Sequence, residues 1–369
     1  MHKRIPQFSV FLLVLQGIIT YLHWFVCETI ITLWNIENPA AVLTLKVIFI
    51  GLSFVFVLST MLAAKYSNLP IRIFYRSAMV WMGFFFYLAI ASFASWLTFD
   101  LTALSAAQTL MVVYFGVASL VAAYGVKNAN RIRVTDLSVS LPHLPESWKK
   151  RTAVFMSDLH LGQIRTERFA ARAVKAVNDL HPDIVLIGGD LYDGIAADIR
   201  KVSAPLADLK APLGVWFVMG NHDEFRNVEE YLAELKLVGF RVLMDEMREI
   251  DGLQLVGVDY RSTELKKQYE EVFAGIAIDR AKPSILLRHV PNFLKVARDR
   301  GVSLQLSGHT HDGQVFPLNF LTSWIFKGYG NGFKKKGDLA VYVSSGVGSW
   351  GPPLRVGTKS EVVKIKFSG

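Results

Sequence analysis

The sequence predicts an α-helical bundle of four transmembrane helices followed by an α/β domain with mixed β-sheets sandwiched by helices. Three observations predict it. Long apolar runs fill the front of the chain, short β-branched runs alternate with helix-like stretches behind them, and Asp, Asn and His recur directly after successive predicted strands.

The apolar runs come first in the chain. A hydrophobic fraction of 52% over 369 residues is high for a soluble protein, and the excess is concentrated in Ser9 to Trp34, Ala40 to Ala64, Ser77 to Phe99 and Ala103 to Val126. Each run holds about 20 residues or more, enough at ~1.5 Å per residue to cross a hydrocarbon core of ~30 Å. The first run is too long for the apolar part of a cleaved signal peptide, and three similar runs follow it. Lys3 and Arg4 precede the first run, Lys65, Arg72 and Arg76 separate the second from the third, and Lys127, Arg131 and Arg133 follow the fourth. The connections NIENPA and FDLTA carry neither Lys nor Arg, so both termini and the domain after residue 127 are expected on the cytoplasmic face of a cell membrane. The lone cysteine, Cys27, lies inside the first run and excludes an intramolecular disulfide.

His23, Glu28 and Lys46 fall toward the outer ends of their predicted helices, where headgroup contact or helix pairing accounts for them. Gly51, Ser53, Ser92, Ala94, Ser95, Gly116 and Ser119 are small residues that allow helices to approach closely.

Residues 127–150 read as a linker and first strand, and 151–369 as one α/β domain. Strands are expected at Thr152 to Met156, Ile184 to Ile187, Val215 to Val218, Leu253 to Val258, Ile285 to Leu287, Leu304 to Leu306, Ala340 to Val343 and Val362 to Ile365. Helices are expected at Glu167 to Leu180, Asn227 to Leu237 and Asn292 to Asp299. Of 40 Lys and Arg, 34 lie from residue 127 onward against 28 acids. The excess is modest and has no aromatic-interleaved stripe, so no nucleic-acid partner is expected. The sharpest basic cluster, Lys334 to Lys336, stands beside Phe326, Tyr329 and Phe333 and suits contact with anionic headgroups or solvent alike.

The strand ends carry the chemistry. SDLHLG (157–162), GGDLYDG (188–194), GNHDEF (220–225), LLRHVP (286–291) and SGHTHDGQ (307–314) follow successive predicted strands. Singly, each is an ordinary turn built from Gly, Asn and Asp. Together they place seven nitrogen and oxygen donors at carboxyl ends of strands, converging on one edge, as a site for two divalent ions requires. His309 and His311 flank a single residue, so in an extended segment both side chains project to the same side.

This ordered set resembles the calcineurin-like metallophosphoesterase superfamily over most of residues 150–350. It is most similar to a membrane-associated bacterial branch with N-terminal transmembrane helices, whose C-terminal segment is like YVSSGVGSWGPPLRVG. Asp312 departs from that branch, which usually has glycine there. The resemblance implies that one ion is held by Asp158, His160, Asp190 and His311, and a second by Asp190, Asn221, His289 and His309. Two adjacent ions lower the pKa of a bridging water and neutralise phosphoryl charge during in-line attack. His222 is then the residue to protonate the leaving group, Asp223 its orienting partner or a turn residue, and Arg288 and Arg355 candidates for phosphate oxygens or else ordinary surface arginines. The donor set admits manganese, iron, zinc, cobalt or nickel, among which availability decides, and manganese is the one expected.

The expected function is a membrane-anchored phosphohydrolase cleaving a phosphodiester or pyrophosphate, with a lipid-linked substrate such as the UDP-diacylglucosamine that some superfamily members cleave. Membrane lipid is then a partner; protein partners are not specified. A non-enzymatic membrane scaffold or sensor that binds a nucleotide or protein through the same fold is the alternative, although such a module would be expected to have lost some of the donors.

Overall fold

The computed structural model describes residues 5–99, 101–225 and 227–369. Lys3, Arg4 and Asp100, which bear on the expected orientation, lie outside the described residues. The chain forms two compact units, Met1–Val126 and Lys127–Gly369.

The first unit contains α1 (Ile5–Leu33), α2 (Pro39–Lys65), α3 (Leu69–Phe99) and α4 (Leu104–Asn128). Among the described residues, these four helices are long and apolar enough to cross a membrane. α3 starts well ahead of the apolar run at Ser77, because the Asn68 side chain accepts from the Ile71 amide and caps the helix before Arg72 and Arg76. Polar residues pair helices. Lys46 on α2 meets Glu28 on α1 at 2.8 Å, while His23 stacks on Phe85 at 3.5 Å and accepts from Trp81 Nε1. Ser53, Ser92 and Ser95 are buried as small packing residues. Gly51 and Gly116 face open space, so they are not the close-approach positions expected of them.

In the second unit the strands are β1 (Ile132–Ser140), β2 (Thr152–Met156), β3 (Ile184–Ile187), β4 (Val215–Phe217), β5 (Phe240–Val242), β6 (Glu246–Ile250), β7 (Leu253–Gly257), β8 (Ser284–Leu287), β9 (Leu304–Ser307), β10 (Gly332–Lys336), β11 (Leu339–Val343) and β12 (Ser360–Ser368). They divide between two six-stranded sheets, ordered β1-β12-β2-β3-β4-β5 and β10-β11-β9-β8-β7-β6, rather than lining one edge. The helices are α5 (Glu146–Lys149), α6 (Glu167–Asn178), α7 (Ile199–Ser203), α8 (Val228–Leu237), α9 (Lys266–Gly275), α10 (Leu294–Asp299) and α11 (Leu318–Ile325).

Period-two alternation builds the layers. Ala153 and Phe155 of β2 join Ile285 and Leu287 of β8 and Leu304 and Leu306 of β9 in a core between the sheets. Their neighbours Val154 and Met156 face the opposite way, into a core with Phe169, Ala173 and Val177 of α6. Leu286 of β8 likewise packs on Tyr269 and Phe273 of α9. Both faces of each sheet are covered, which is why the central strands read as continuous apolar runs. β2, β3 and β4 run parallel, as do β7, β8, β9 and β11, so within each sheet the carboxyl ends lie together.

Candidate metal centre

Asp158 and His160 follow β2, Asp190 follows β3 and Asn221 follows β4, all in the first sheet. His289 follows β8, and His309 and His311 follow β9, in the second. The site therefore lies where the carboxyl ends of two sheets meet. Asp158, His160, Asp190, His309 and His311 all have positive φ, between 49° and 72°. Such left-handed backbone costs roughly 1–3 kcal/mol per non-glycine residue and is held only where packing over-determines it. Here it turns side chains out of the strand direction into a common pocket. His309 and His311 are thus not an extended pair as expected: β9 ends at Ser307 and His311 opens a short turn. Glycines let the loops interlock, since a Cβ at Gly220 would collide with Asp190 Oδ1, and one at Gly308 with Asp158 Oδ2.

Among the described residues, three groups of donors lie close enough to share an ion: Asp158, His160 and His311; Asp190, His289 and His309; and His160, Asp193 and His222. Asn221 joins the second through its Oδ1, 2.9 Å from His309 Nδ1. Asp190 Oδ2 faces a histidine of each of the first two groups, at 3.2 Å from His289 Nε2 and 3.8 Å from His160 Nε2.

The donor chemistry fits divalent cations. His289 Nδ1 lies 2.7 Å from the Gly188 carbonyl, which can only accept, so the proton sits there and Nε2 is directed at Asp190. Nε2 of His289 and Nδ1 of His160 are buried without a hydrogen-bond partner. His160 Nε2 and His311 Nε2 face each other at 3.0 Å, and His311 Nε2 stands 3.6 Å from Asp158 Oδ1. Buried lone pairs and carboxylates crowded in this way call for positive charge. Without a cation, protons must supply it. Burial works to lower His289, but Asp190 and then Asp158 outweigh burial and push it up to about 9. Burial favours a protonated Asp190, yet His289 and His160 hold its carboxyl well below the usual range. Burial, and then the charge on His289, push His309 down to about 3; burial and then His160 keep His311 well below the ordinary histidine value. Both rings are therefore uncharged at neutral pH, and one nitrogen of each is already engaged, His309 Nδ1 with Asn221 Oδ1 and His311 Nδ1 with the Arg355 guanidinium.

His222 lies at the rim of this cluster. Its backbone N donates to Asp190 Oδ1 at 2.8 Å, and its Nδ1 lies 3.1 Å from the Asp193 carbonyl, leaving Nε2 for exchange. Asp193, whose carboxylate is 3.5 Å from His160 Nδ1, was not singled out from sequence; the GGDLYDG stretch offered it only as a second acid after the first. Asp223 does not orient His222 as expected. Its buried carboxylate accepts from the amides of Asp190, Tyr192 and Gly220, at 2.8, 3.0 and 2.9 Å, and staples two of the site's loops together. Burial, and then the nearby Asp190, raise it to about 7. Asp223→Ala leaves three buried amides unpaired and is expected to cost about 3 kcal/mol or more, a fall in Tm of roughly 6–12 °C. Thermal unfolding of the purified protein checks this, with Asp223→Asn intermediate because one acceptor oxygen remains.

Arg288 and Arg355 do not face the pocket for phosphate as expected. Arg288 is buried over the Tyr269 ring at 4.3 Å and donates to carbonyls of Thr263, Val290 and Asn292. Arg355 is fully buried, donates to the carbonyls of Ser345 and Gly348, and lies 3.2 Å from His311 Nδ1. Carbonyls of neighbouring loops, and of Thr263 for Arg288, take up most of their donors, so Arg288 acts on the site through the loops it holds and Arg355 through its loop and the His311 ring. The 344–348 loop is fixed in turn by Val347 N to Ser157 O, Gly348 N to Asp158 O, and the buried Glu361 carboxylate that accepts from Ser345 N. Asp312 turns toward Asn331, whose amide donates to its carboxylate at 3.0 Å.

Residues 152–313 match the model of the calcineurin-like phosphoesterase family. The chain is also 31% identical over 263 residues to a metallophosphoesterase of Aquifex aeolicus, covering 69% of this chain and 98% of that protein. It belongs to the calcineurin-like phosphoesterase family. Within that family it is 32% identical over 241 residues to a Helicobacter pylori metallophosphoesterase, covering 64% of each chain. A transmembrane protein with a metallophosphoesterase domain from Danio rerio is 32% identical over 275 residues, which is 70% of this chain and 62% of that one. The chain thus spans just under two thirds of the length of the last two relatives. The calcineurin-like phosphoesterase match ends at Gly313, so α11, β10 and the 344–348 loop lie beyond it.

Proposed function

We propose that this protein is a membrane-anchored, two-metal phosphohydrolase acting on a phosphodiester or pyrophosphate whose lipid part stays in the bilayer. The observation that carries the reading is the pair of buried donor groups, Asp158, His160 and His311 beside Asp190, His289 and His309, with one oxygen of Asp190 facing both. In this reading Asp158, His160, Asp190 and His311 hold one ion, and Asp190, Asn221, His289 and His309 the other. Bound ions would supply positive charge against the phosphoryl oxygens and an acidified water. The chain's own residues do the rest. Gly188 fixes the His289 ring, Asp223 holds the loops of Asp190 and Asn221 in register, and the Asp193 carbonyl takes the Nδ1 proton of His222 and aims Nε2 outward, so that the imidazolium form, which burial and then His160 disfavour, would donate its Nε2 proton to the leaving oxygen.

Hydrolysis of bis-p-nitrophenyl phosphate tests this reading. The purified full-length protein is expected to hydrolyse it, to stop after chelation and dialysis, and to recover on addition of manganese. Absence of turnover with any of manganese, iron, zinc, cobalt or nickel would favour a binding scaffold instead. The orientation is part of the proposal: a reporter active only in the cytoplasm is expected to work when fused after Gly369 or placed near Ser67, because Lys65, Arg72 and Arg76 flank that connection. A signal confined to the periplasmic form of the Gly369 fusion would reverse it.

A further inference from the structure

Helix α11 is amphipathic in the inverse sense. It turns Asn319 and Thr322 inward, with Asn319 Oδ1 buried and Thr322 beside Gly330, and buries none of its apolar side chains. Phe320, Leu321, Trp324 and Ile325 share one face at helical spacing and are all exposed, Phe320 by 65% and Trp324 by 77%. A water-soluble helix presents the opposite arrangement, so this face needs a cover. Phe316 before the helix and Phe333 on edge strand β10 extend the same exposed apolar surface. From Phe316 to Lys336 the chain carries four lysines and no acidic residue, and Lys327, Lys334 and Lys335 are exposed.

We propose that α11 is an interfacial anchor that lies in an anionic lipid surface, its apolar face at the acyl boundary and its lysines on the headgroup phosphates. Charge complementarity selects this occupant: a rim that is cationic throughout matches a surface of phosphates, and a Trp and Phe face bordered by Lys is the composition of interfacial helices. The strip adjoins the metal centre, since the Phe326 ring is 6.1 Å from that of His309 and Thr310 donates to the Gly330 carbonyl. A phosphate at the bilayer surface would then reach the site while its acyl chains remain in lipid. The inference rests on the membrane part of the proposed function and is independent of the hydrolytic chemistry.

The test uses the full-length protein with the buried Cys27 replaced by Ala and a Trp324→Cys variant carrying an environment-sensitive fluorophore. It is reconstituted in phosphatidylcholine vesicles with or without phosphatidylglycerol. Nitroxide on the acyl chains is expected to quench the label in phosphatidylglycerol vesicles, where aqueous iodide loses most of its access. A label at the exposed Leu237, on α8, is expected to remain open to iodide throughout. Replacing Lys334 and Lys335 with Ser is expected to diminish the nitroxide quenching. Iodide access at position 324 in both vesicle types overturns the proposal, and shielding from iodide and nitroxide together overturns it in favour of a protein cover, a second copy included. Equal nitroxide quenching in both vesicle types overturns the anionic preference. Retained hydrolysis of bis-p-nitrophenyl phosphate shows that the labelled protein is folded. Its loss in every form, unlabelled included, with quenching as expected, counts against the phosphoesterase reading and leaves the anchor standing.

Discussion

Asp190→Asn is expected to lower metal content and turnover together, because one oxygen of Asp190 faces a histidine of each donor group. The substitution removes a negative charge from a fully buried position where His160 and His289 converge, and that charge is part of what would hold two cations close together. Loss of a mere supporting partner of a metal ligand already costs roughly 10–100-fold in affinity or activity, so loss of a shared ligand should cost more. Metal analysis of the purified protein, paired with single-turnover hydrolysis, reads both quantities. The backbone should hold, since Asn has the same shape and its amide oxygen can still accept from His222 N, the bond now made by Oδ1. Wild-type metal content with wild-type turnover would refute the shared-ligand role.

The second large effect separates binding from chemistry at one backbone step. His222→Ala is expected to keep both ions while kcat falls by roughly a hundredfold or more, as loss of a general acid does. The loss should shrink for substrates with good leaving groups, which need little protonation. Asn221→Ala should instead weaken the ion shared with His289 and His309, since Asn221 Oδ1 meets His309 Nδ1 at 2.9 Å, and added metal should recover part of its activity. The proximity of His222 to His160 and Asp193 makes the comparison necessary, because those three donors also lie within reach of a single ion. If added metal rescues His222→Ala as well as it rescues Asn221→Ala, or if the defect ignores leaving-group pKa, His222 is a ligand or a structural residue.

Much of the architecture was legible in residue order. Apolar runs of this length have few uses other than crossing lipid, and the structure makes each of them part of one continuous helix. Short β-branched runs marked most strands of the second unit to within a residue or two, because buried strands have little room for polar side chains. β5, β6 and β10 escaped notice: all three are edge strands, and of FRV, EMREI and GFKKK only Phe240 is buried, so none shows an apolar run. The donor residue types were legible too, since Asp, Asn and His after successive strands stand out against ordinary turn composition.

By itself, then, the sequence determined where apolar surface lies along the chain and which strand ends carry nitrogen and oxygen donors. Only the tertiary structure decided that those ends belong to two sheets, that left-handed backbone at Asp158, His160, Asp190, His309 and His311 turns the donors inward, and that Arg288 and Arg355 are consumed by carbonyls. It alone showed that Asp223 bonds amides of two loops and that α11 wears its apolar face outward. The physical reason is one of range. Periodicity and composition are local and report which side of an element is apolar, whereas sheet partners, hydrogen-bond acceptors and the cover over a face come from residues distant in the chain: β1 pairs with β12, and His311 meets His160 from 151 residues away.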